Sequence, residues 1–161
     1  MAINTPYGQG TVITMQDEWR LTTDFSGTGV IAANWERNDY YYSKTGDGMS
    51  ESSGVFTFPT TGLYEITYFM VGTRSESEFF GAHLYETHNN STYYTLSYAR
   101  DSNSDATSTT WCQAIGRVGI DITTTSQQKV KLVADTYGTF SIKGNSSYTA
   151  TGMSFIRLGD T

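Results

Sequence analysis

The sequence predicts an all-β fold, an antiparallel sandwich or barrel built from about ten short strands. Three observations predict it. The run GVFTFPTTGLYEITYFMV (residues 54–71) encodes a strand, a turn and a second strand in succession. Aromatic residues make up 14% of the chain, with twelve tyrosines, and prolines number only two. Together with the abundant threonine, serine, glycine and asparagine, this composition favours strands and polar turns over helices.

The central run marks its own strand boundaries. Residues 55–58 are β-branched or aromatic and suit a pleated, half-buried surface. Pro59 has no amide to give to a sheet and should end this strand, and Gly62 allows the backbone angles of the turn that follows. Beyond the turn, the alternation predicts a core strand with most of both faces covered. The residues predicted to share one face of this strand are Tyr64, Ile66, Tyr68 and Met70.

The other strands follow the same alternation of apolar and polar residues. Clusters of glycine, asparagine and serine separate them. The longest cluster, residues 39–54, predicts a surface loop with Tyr40, Tyr41 and Tyr42 at its base. The predicted strands are 17–25, 30–35, 79–85, 93–100, 109–122, 130–134, a short one containing Phe140 and Ile142, and 148–158.

Length, charge and cysteine content limit the number of domains and the kinds of partner. At 161 residues the chain has room for one domain, and we predict an N-terminal arm of residues 1–16 before a β domain of residues 17–161. Cys112 is the single cysteine, which excludes an intrachain disulfide. The net charge of −6 disfavours binding to nucleic acid. No run approaches the roughly 20 apolar residues of a membrane helix, and the first residues do not form an export signal. We expect a protein made in the cytoplasm, without a membrane span.

One motif carries a family resemblance. Phe56, Gly62 and Tyr64 form the pattern F-x-x-x-x-x-G-x-Y, with Pro59 inside the turn and Gly54 before the first strand. This pattern resembles the signature of the complement C-one-q globular head and its tumour-necrosis-factor-like relatives. The resemblance implies a ten-strand jelly-roll β-sandwich that assembles as a threefold symmetric trimer.

The closing segment extends the resemblance. The sequence ATGMSFIRL (residues 150–158) is similar to the family's final Ser-Gly-Phe-Leu-Leu strand, with Gly152 and Met153 at the Gly-Phe positions and Phe155 two residues later. In this strand Met153 and Phe155 point one way, while Ile156 and Leu158 point the other. A strand that is apolar on both faces needs two covers. Either one subunit supplies both covers, or neighbouring subunits supply the second.

No residue pattern predicts catalysis. Nucleophilic catalysis needs a serine or cysteine beside a histidine, and the candidates are His83, His88 and Cys112. His83 lies in a predicted strand, His88 in a turn, and Cys112 follows Trp111 in a strand that would bury an inert thiol. No hydrolase motif, phosphate loop or dinucleotide fingerprint occurs. We predict a protein that is not an enzyme.

One segment has metal-ligand spacing. Asp101, Asn103 and Asp105 match the first, third and fifth positions of an EF-hand loop, but Ala106 replaces the required glycine and Cys112 the closing glutamate. An EF-hand is therefore excluded. A looser calcium site remains an alternative to a hydrated polar turn, and its candidate ligands are Asp101, Asp105, Asp47 and Glu51. No other cofactor is predicted.

The predicted function is that of a virion structural protein, a homotrimeric capsid decoration or fibre knob of a bacteriophage. Such a protein is made in the host cytoplasm and released by lysis, and stability without disulfides suits assembly in a reducing compartment. Jelly rolls recur in viral shells and lectins. The N-terminal arm would then attach the trimer to capsid or fibre proteins through Ile3, Tyr7, Val12 and Ile13.

The alternative function is a cell-surface adhesin or receptor-binding fibre tip that holds a host glycan. Tyrosine offers a rigid apolar face for a sugar ring and a polar tip for its hydroxyls. The first candidates for this contact are Tyr40, Tyr41 and Tyr42 in the long loop. Further candidates are Tyr93, Tyr94 and Tyr137.

Overall fold

Two antiparallel β-sheets enclose one hydrophobic core, as the sequence predicts. The structure is a computed structural model that describes residues 13–40, 44–74, 78–103, 109–137 and 140–161, and these ranges contain no helix. The strands are β1 (Met15–Leu21), β2 (Phe25–Ser26), β3 (Gly29–Val30), β4 (Trp35–Arg37), β5 (Ser50–Ser52), β6 (Val55–Thr57), β7 (Gly62–Arg74), β8 (Glu78–Thr87), β9 (Tyr93–Asn103), β10 (Thr110–Ile122), β11 (Lys129–Thr136), β12 (Ser141–Ile142) and β13 (Gly152–Gly159).

Sheet 1 is centred on β7. One side of β7 pairs with β10 along its whole length, and the other side pairs first with β13 and then with β12. Beyond β13 come β1 and β4, while β2 flanks β12. Sheet 2 has the order β5-β6-β11-β8-β9, with β3 beside β6 on β11. The edge strands β9 and β10 contact each other and close one side of the sandwich.

Several strand boundaries differ from the prediction. Strand β1 begins at Met15, so Met15 and Gln16 belong to the sheet rather than to the predicted arm; Met15 pairs with Arg157 and is only 3% exposed. The predicted strand 30–35 is interrupted between β3 and β4, where Asn34 has a φ of +65°, which a strand does not adopt. The predicted strand 148–158 begins only at Gly152, after the turn at Asn145. Within the predicted loop 39–54, Ser50–Ser52 forms β5 because it pairs with β6 across a turn.

Strand β7 buries the predicted face and leaves the other open. Tyr64, Ile66, Tyr68 and Met70 are fully buried, which confirms that part of the prediction. The side chains between them point outward, and Leu63 is 44% exposed. The described residues therefore do not cover both faces of this strand.

Aromatic rings fill the space between the sheets. Phe56 of β6 contacts Trp19 of β1 and Trp35 of β4 edge-on, with ring centroids 5.4 and 5.3 Å apart. Phe155 of β13 lies 5.5 Å from Phe56 and 6.3 Å from Phe58. Edge-to-face contacts of this kind contribute about 0.5–1.5 kcal/mol beyond burial alone. Phe56 of the predicted motif and Phe155 of the closing segment thus join the two sheets.

The glycines of the motif stand where a side chain has no room. Gly54 has a φ of +77°, and a Cβ there would lie 2.3 Å from the carbonyl oxygen of Ile31. Gly62 has a φ of +134°, and its Cβ would lie 2.4 Å from the carbonyl oxygen of Gly159. Between them, Pro59 follows Phe58 outside both strands, and the Tyr64 hydroxyl donates to the carbonyl of Thr60 at 2.9 Å. The turn and β7 are thereby fixed to each other.

A buried carboxylate joins β1 to the segment before β5. Asp17 is fully buried and accepts hydrogen bonds from Trp19 Nε1 at 3.0 Å, Arg37 Nε at 2.9 Å and the Met49 amide at 2.7 Å. The Arg37 guanidinium also lies over the Trp19 ring, 4.6 Å from its centroid. Since these donors satisfy both oxygens of the carboxylate, the network favours a unique packing.

Among the residues that the structure describes, there is no helix long and apolar enough to span a membrane.

Candidate functional site

The outer face of sheet 1 carries several exposed apolar side chains. Strands β7 and β10 pair in register, so that Phe69 lies opposite Ile115 and Thr73 opposite Trp111 on this face. Ile115 is 59% exposed and Trp111 is 65% exposed. We call the outward-facing residues of β7, β10 and β13 the outer face of sheet 1; its apolar members are Leu63, Phe69, Val71, Trp111, Ile115 and Ile156.

One ion pair interrupts the apolar residues of this face. Glu65 of β7 accepts a hydrogen bond from Arg117 of β10. The Arg117 side chain is 69% exposed, so water screens the pair and its contribution to stability is about 0–1 kcal/mol. The pair separates Leu63 at one end of the face from Phe69, Ile115 and Trp111 at the other.

A groove lies at the Trp111 end of the outer face. Its volume is about 760 Å³, and Phe69, Val71 and Trp111 of sheet 1 contribute its apolar lining. The loop between β12 and β13 contributes Tyr148 to the lining of the groove, and this side chain is 62% exposed. Polar lining comes from Asp24, Thr73, Thr109, Lys143, Asn145 and Thr149. We call this the Trp111 groove.

Local structure fixes the backbone at both aromatic residues of the groove. Trp111 lies in β10, whose pairing with β7 fixes its backbone. Tyr148 follows a turn in which Asn145 Oδ1 accepts from the amides of Ser147 at 2.8 Å and Tyr148 at 3.3 Å. The Asn145 amide in turn donates to the Leu21 carbonyl at 2.8 Å. A side chain that bonds its own backbone two residues on stabilises such a turn.

The charges at the groove are paired. Lys143 Nζ donates to Asp24 Oδ2 at 2.8 Å and to Ser141 Oγ at 2.8 Å, and the Gly144 amide donates to Asp24 Oδ1 at 3.0 Å. The hydrogen bond from Lys143 is the main reason that the pKa of Asp24 lies below its ordinary value of 3.8, although partial burial opposes the shift. The pair keeps this edge of the groove neutral overall.

A second groove lies on another side of Trp111. It has a volume of about 400 Å³ and is lined by Val71, Asp101, Trp111, Cys112 and Gln113. Asp101 Oδ2 accepts from the Gln113 amide at 3.0 Å, which ties β9 to β10. Trp111 is therefore a wall of two grooves.

Those of the predicted tyrosines that the structure describes lie in different parts of the fold. Tyr40 is 70% exposed and follows β4 at the edge of sheet 1, while Tyr41 and Tyr42 lie outside the described residues. Tyr93 and Tyr94 belong to β9 in sheet 2, where Lys131 Nζ lies 3.7 Å from the Tyr93 ring centroid. The last candidate, Tyr137, packs against Phe79 at 6.0 Å.

His83 lies between a hydroxyl and a carboxylate, as a catalytic histidine would, but the distance to the hydroxyl is too long for catalysis. Its Nδ1 lies 3.4 Å from Thr95 Oγ1 and its Nε2 lies 3.0 Å from Asp135 Oδ2. A hydroxyl and its base should approach to about 2.6–3.2 Å. Thr95 is exposed on the sheet, where water is not excluded, and the His83 ring packs on Tyr98 at 4.2 Å. These contacts support a packing role for His83.

The other two candidates for chemistry have ordinary surroundings. His88 Nε2 lies 2.7 Å from Glu86 Oε1, and the His88 side chain is 62% exposed. Cys112 is 3% exposed, and burial, followed by the nearby Asp101 carboxylate, raises the pKa of its thiol. A raised pKa reduces the thiolate fraction and hence reactivity.

The calcium candidates are engaged separately. Glu51 Oε1 accepts from the Gly54 amide at 2.6 Å, and Asp101 accepts from the amides of Ser102 and Gln113. Asp105 lies outside the described residues, and Asp47 offers its backbone carbonyl to Lys44. In the ranges that the structure describes, no three histidine, cysteine or acidic side chains converge on one point. The calcium site remains a prediction.

Neither Trp111 nor Tyr148 was predicted from the sequence to be a binding residue. A signal for Trp111 was present, because Trp111, Gln113 and Ile115 alternate with the buried Cys112 and Ala114 in one strand. Tyr148 carried no comparable signal, since its position depends on the turn at Asn145. Of the predicted arm residues, Ile13 is described and is 48% exposed, while Ile3, Tyr7 and Val12 lie outside the described residues.

Comparisons with known proteins show the fold. No protein-family model matches the sequence, and no curated protein matches it significantly. The structure is similar to Eiger, a tumour necrosis factor from S. frugiperda, with a TM-score of 0.70 and 11% identity over 93% of this chain and 96% of that one. It is also similar to murine APRIL at pH 8.5, with a TM-score of 0.67 and 11% identity over 89% and 98% of the two chains. The likeness confirms the predicted jelly-roll sandwich fold.

Proposed function

We propose that this chain is a non-enzymatic structural protein that assembles as a homotrimer and serves as a capsid decoration or fibre knob of a bacteriophage. The observation that carries the proposal is the open apolar outer face of sheet 1. Leu63, Ile115 and Leu158 are 44%, 59% and 48% exposed in the single chain. Exposed apolar patches of this kind mark interaction surfaces.

Strand β13 favours cover by other subunits. Met153 and Phe155 are buried in the core, at 1% and 0% exposure, whereas Leu158 remains 48% exposed and Ile156 is only half-buried. The described residues of one subunit thus cover one face of β13 and not the other. A closed ring of identical copies would cover the same patch on each of them.

Two further features support a structural role on a virion. The single cysteine is buried, so no disulfide is needed for folding in a reducing cytoplasm. Jelly rolls are a recurrent architecture of viral shells. In the described part of the chain, the histidines and Cys112 have the packed or ion-paired surroundings given above, which supports a role without chemistry.

The oligomer is tested by light scattering coupled to size-exclusion chromatography. The wild-type chain should elute with three times the 17.8 kDa mass of one subunit. The double variant Leu63→Asp, Ile115→Asp should elute at the mass of a monomer, because two carboxylates would be buried without partners in the interface. Tyr94→Asp, at a site 61% exposed on sheet 2, is the control and should leave the mass unchanged. A wild-type monomer at micromolar concentration contradicts the trimer.

The virion role is tested on particles purified from the source of the gene. Mass spectrometry of gradient-purified particles should find peptides of this chain in the fraction that contains the major capsid protein. Recovery of the chain only in the soluble fraction, free of particles, would refute the role on the virion and leave the oligomer result standing.

A further inference from the structure

The Trp111 groove has features that a trimer contact does not require. A trimer interface needs complementary apolar area, which Leu63 and Ile115 already offer elsewhere on the outer face. The groove adds two exposed rings, Trp111 of β10 and Tyr148 of the loop between β12 and β13, together with polar groups in its lining. This combination of aromatic faces and fixed polar groups is that of a small-molecule site.

We propose that the Trp111 groove binds a neutral oligosaccharide, with sugar rings stacked on Trp111 and Tyr148. The apolar C–H face of a pyranose matches an indole or phenol ring, and its hydroxyls match hydrogen-bond donors and acceptors at the edge. Trp111 is 65% exposed and Tyr148 is 62% exposed, so both rings present free surface to a ligand.

The polar groups of the groove can each meet a hydroxyl. Lys143 Nζ uses two of its three N–H donors, on Asp24 and Ser141, and keeps one for a ligand. Asn145 uses its oxygen in the turn, while its Nδ2 amide has no acceptor among the residues that the structure describes. Asp24 is 44% exposed and retains free lone pairs.

Charge selects a neutral ligand. Asp24 and Lys143 form an ion pair, so neither charge is left to attract an ionic substrate. The whole chain carries a net charge of −6, which disfavours acidic sugars and nucleic acids. A neutral hexose or N-acetylhexosamine chain meets no such repulsion.

The second groove favours a chain of sugars over a single one. Trp111 separates the Trp111 groove from a groove of about 400 Å³ that contains Asp101 and Gln113. A ligand with several rings in series can lie on both sides of one indole. Because β10 and the Asn145 turn fix the backbone at both residues before binding, little backbone entropy is lost when the ligand stacks.

The test is titration of the purified full-length chain with neutral hexasaccharides. Cellohexaose, mannohexaose and fully N-acetylated chitohexaose are titrated separately by calorimetry, with an anionic heparin hexasaccharide for comparison. We expect at least one neutral probe to bind with a dissociation constant of about 1 mM or tighter, and the heparin probe to bind more weakly. Trp111→Ala and Tyr148→Ala should each weaken that binding about tenfold or more, whereas Trp111→Phe should retain part of it. Tyr98→Ala is the control, a partly exposed tyrosine of β9 that lines neither groove, and should leave the binding unchanged.

A second readout locates the ligand and separates it from a neighbouring subunit. In protein labelled with 5-fluorotryptophan, only the ¹⁹F resonance lost in Trp111→Phe should shift on titration, since Trp19 is 9% exposed and Trp35 is half-buried. Failure of all neutral probes at 5 mM, or binding unchanged in Trp111→Ala, refutes the proposal. Loss of the oligomer in Trp111→Ala would also refute it, because a second copy of the chain would then be the occupant. The proposal does not depend on the trimer, whose own test uses Leu63 and Ile115.

Discussion

At the scale of single residues, Gly116 shows how a missing side chain lets another cross a sheet. Tyr68 of β7 extends its ring beneath Gly116 of β10, and its hydroxyl donates to Ser97 Oγ of β9 at 2.8 Å. A Cβ at Gly116 would lie 2.1 Å from that ring. We expect Gly116→Ala to lower the free energy of unfolding by about 1–3 kcal/mol, because the ring has no free space into which to move. Urea denaturation measures the change.

The matched control for that prediction is Gly119→Ala on the same strand. The nearest atom to a Cβ at Gly119 is the Tyr64 carbonyl oxygen at 3.8 Å, which is ordinary contact. Its alanine variant should match or slightly exceed wild-type stability, since alanine restricts the unfolded chain more than glycine does. Equal stability of the two alanine variants would show that Tyr68 is not confined by β10.

Asp24 provides a prediction on proton binding at the Trp111 groove. Its pKa lies below 3.8 chiefly because Lys143 donates a hydrogen bond to the carboxylate. A lowered folded-state pKa means that this pair stabilises the fold above pH 3.8 and that its contribution is lost as the pH falls through the folded value. Lys143→Met should therefore raise the pKa of Asp24 toward its ordinary value, as followed by carboxyl ¹³C NMR. Lys129→Met, on β11, is the control; an unchanged Asp24 titration in Lys143→Met would contradict the assignment.

At the scale of the element, one glutamine organises the turn between β10 and β11. Gln128 is 4% exposed, and its Oε1 accepts from the amides of Thr123 and Thr124 at 2.7 and 2.8 Å. Its Nε2 donates to the Asp121 carbonyl at 2.9 Å. Gln128→Glu should cost about 1–3 kcal/mol, because the carboxylate keeps the acceptor role but has no donor for that carbonyl. Gln127→Glu changes the exposed neighbour and should stay within about 0.5 kcal/mol of wild type by thermal unfolding.

Elements were predictable from the sequence where their own periodicity defines them. Strand β7 was found from its alternation, and its four inward side chains are fully buried. The short strand predicted around Phe140 and Ile142 corresponds to β12. The two-residue strands β2 and β3 were not delimited, because they consist only of pairing with a neighbour: Phe25 with Ile142, and Gly29 with Ala134. No window of two residues carries a period. Strand β5 was read as loop because Ser50–Ser52 is polar and gains its structure from β6.

At the scale of the whole molecule, the sequence predicted the architecture better than the site. The motif from Gly54 to Tyr64 and the closing strand are each a continuous stretch of sequence, so each can be recognised from the sequence alone. The Trp111 groove is assembled from Asp24, Trp111 and Tyr148, which meet only after sheet 1 has formed. Binding residues often lie in loops, as Tyr148 does, because a rigid scaffold of strands positions the loops.

The N-terminal arm yields the last prediction, which concerns assembly. Because β1 begins at Met15 and pairs with β13 from there, deletion of residues 1–12 leaves every described strand intact. The truncated chain should keep the oligomeric mass and melting temperature of the full chain. It should no longer co-sediment with particles purified from the source, since Ile3, Tyr7 and Val12 are removed. The control replaces residues 1–12 by a glycine-serine linker of equal length, which preserves reach but not the apolar contacts. Co-sedimentation of either variant at the wild-type level would show that attachment uses the jelly roll itself.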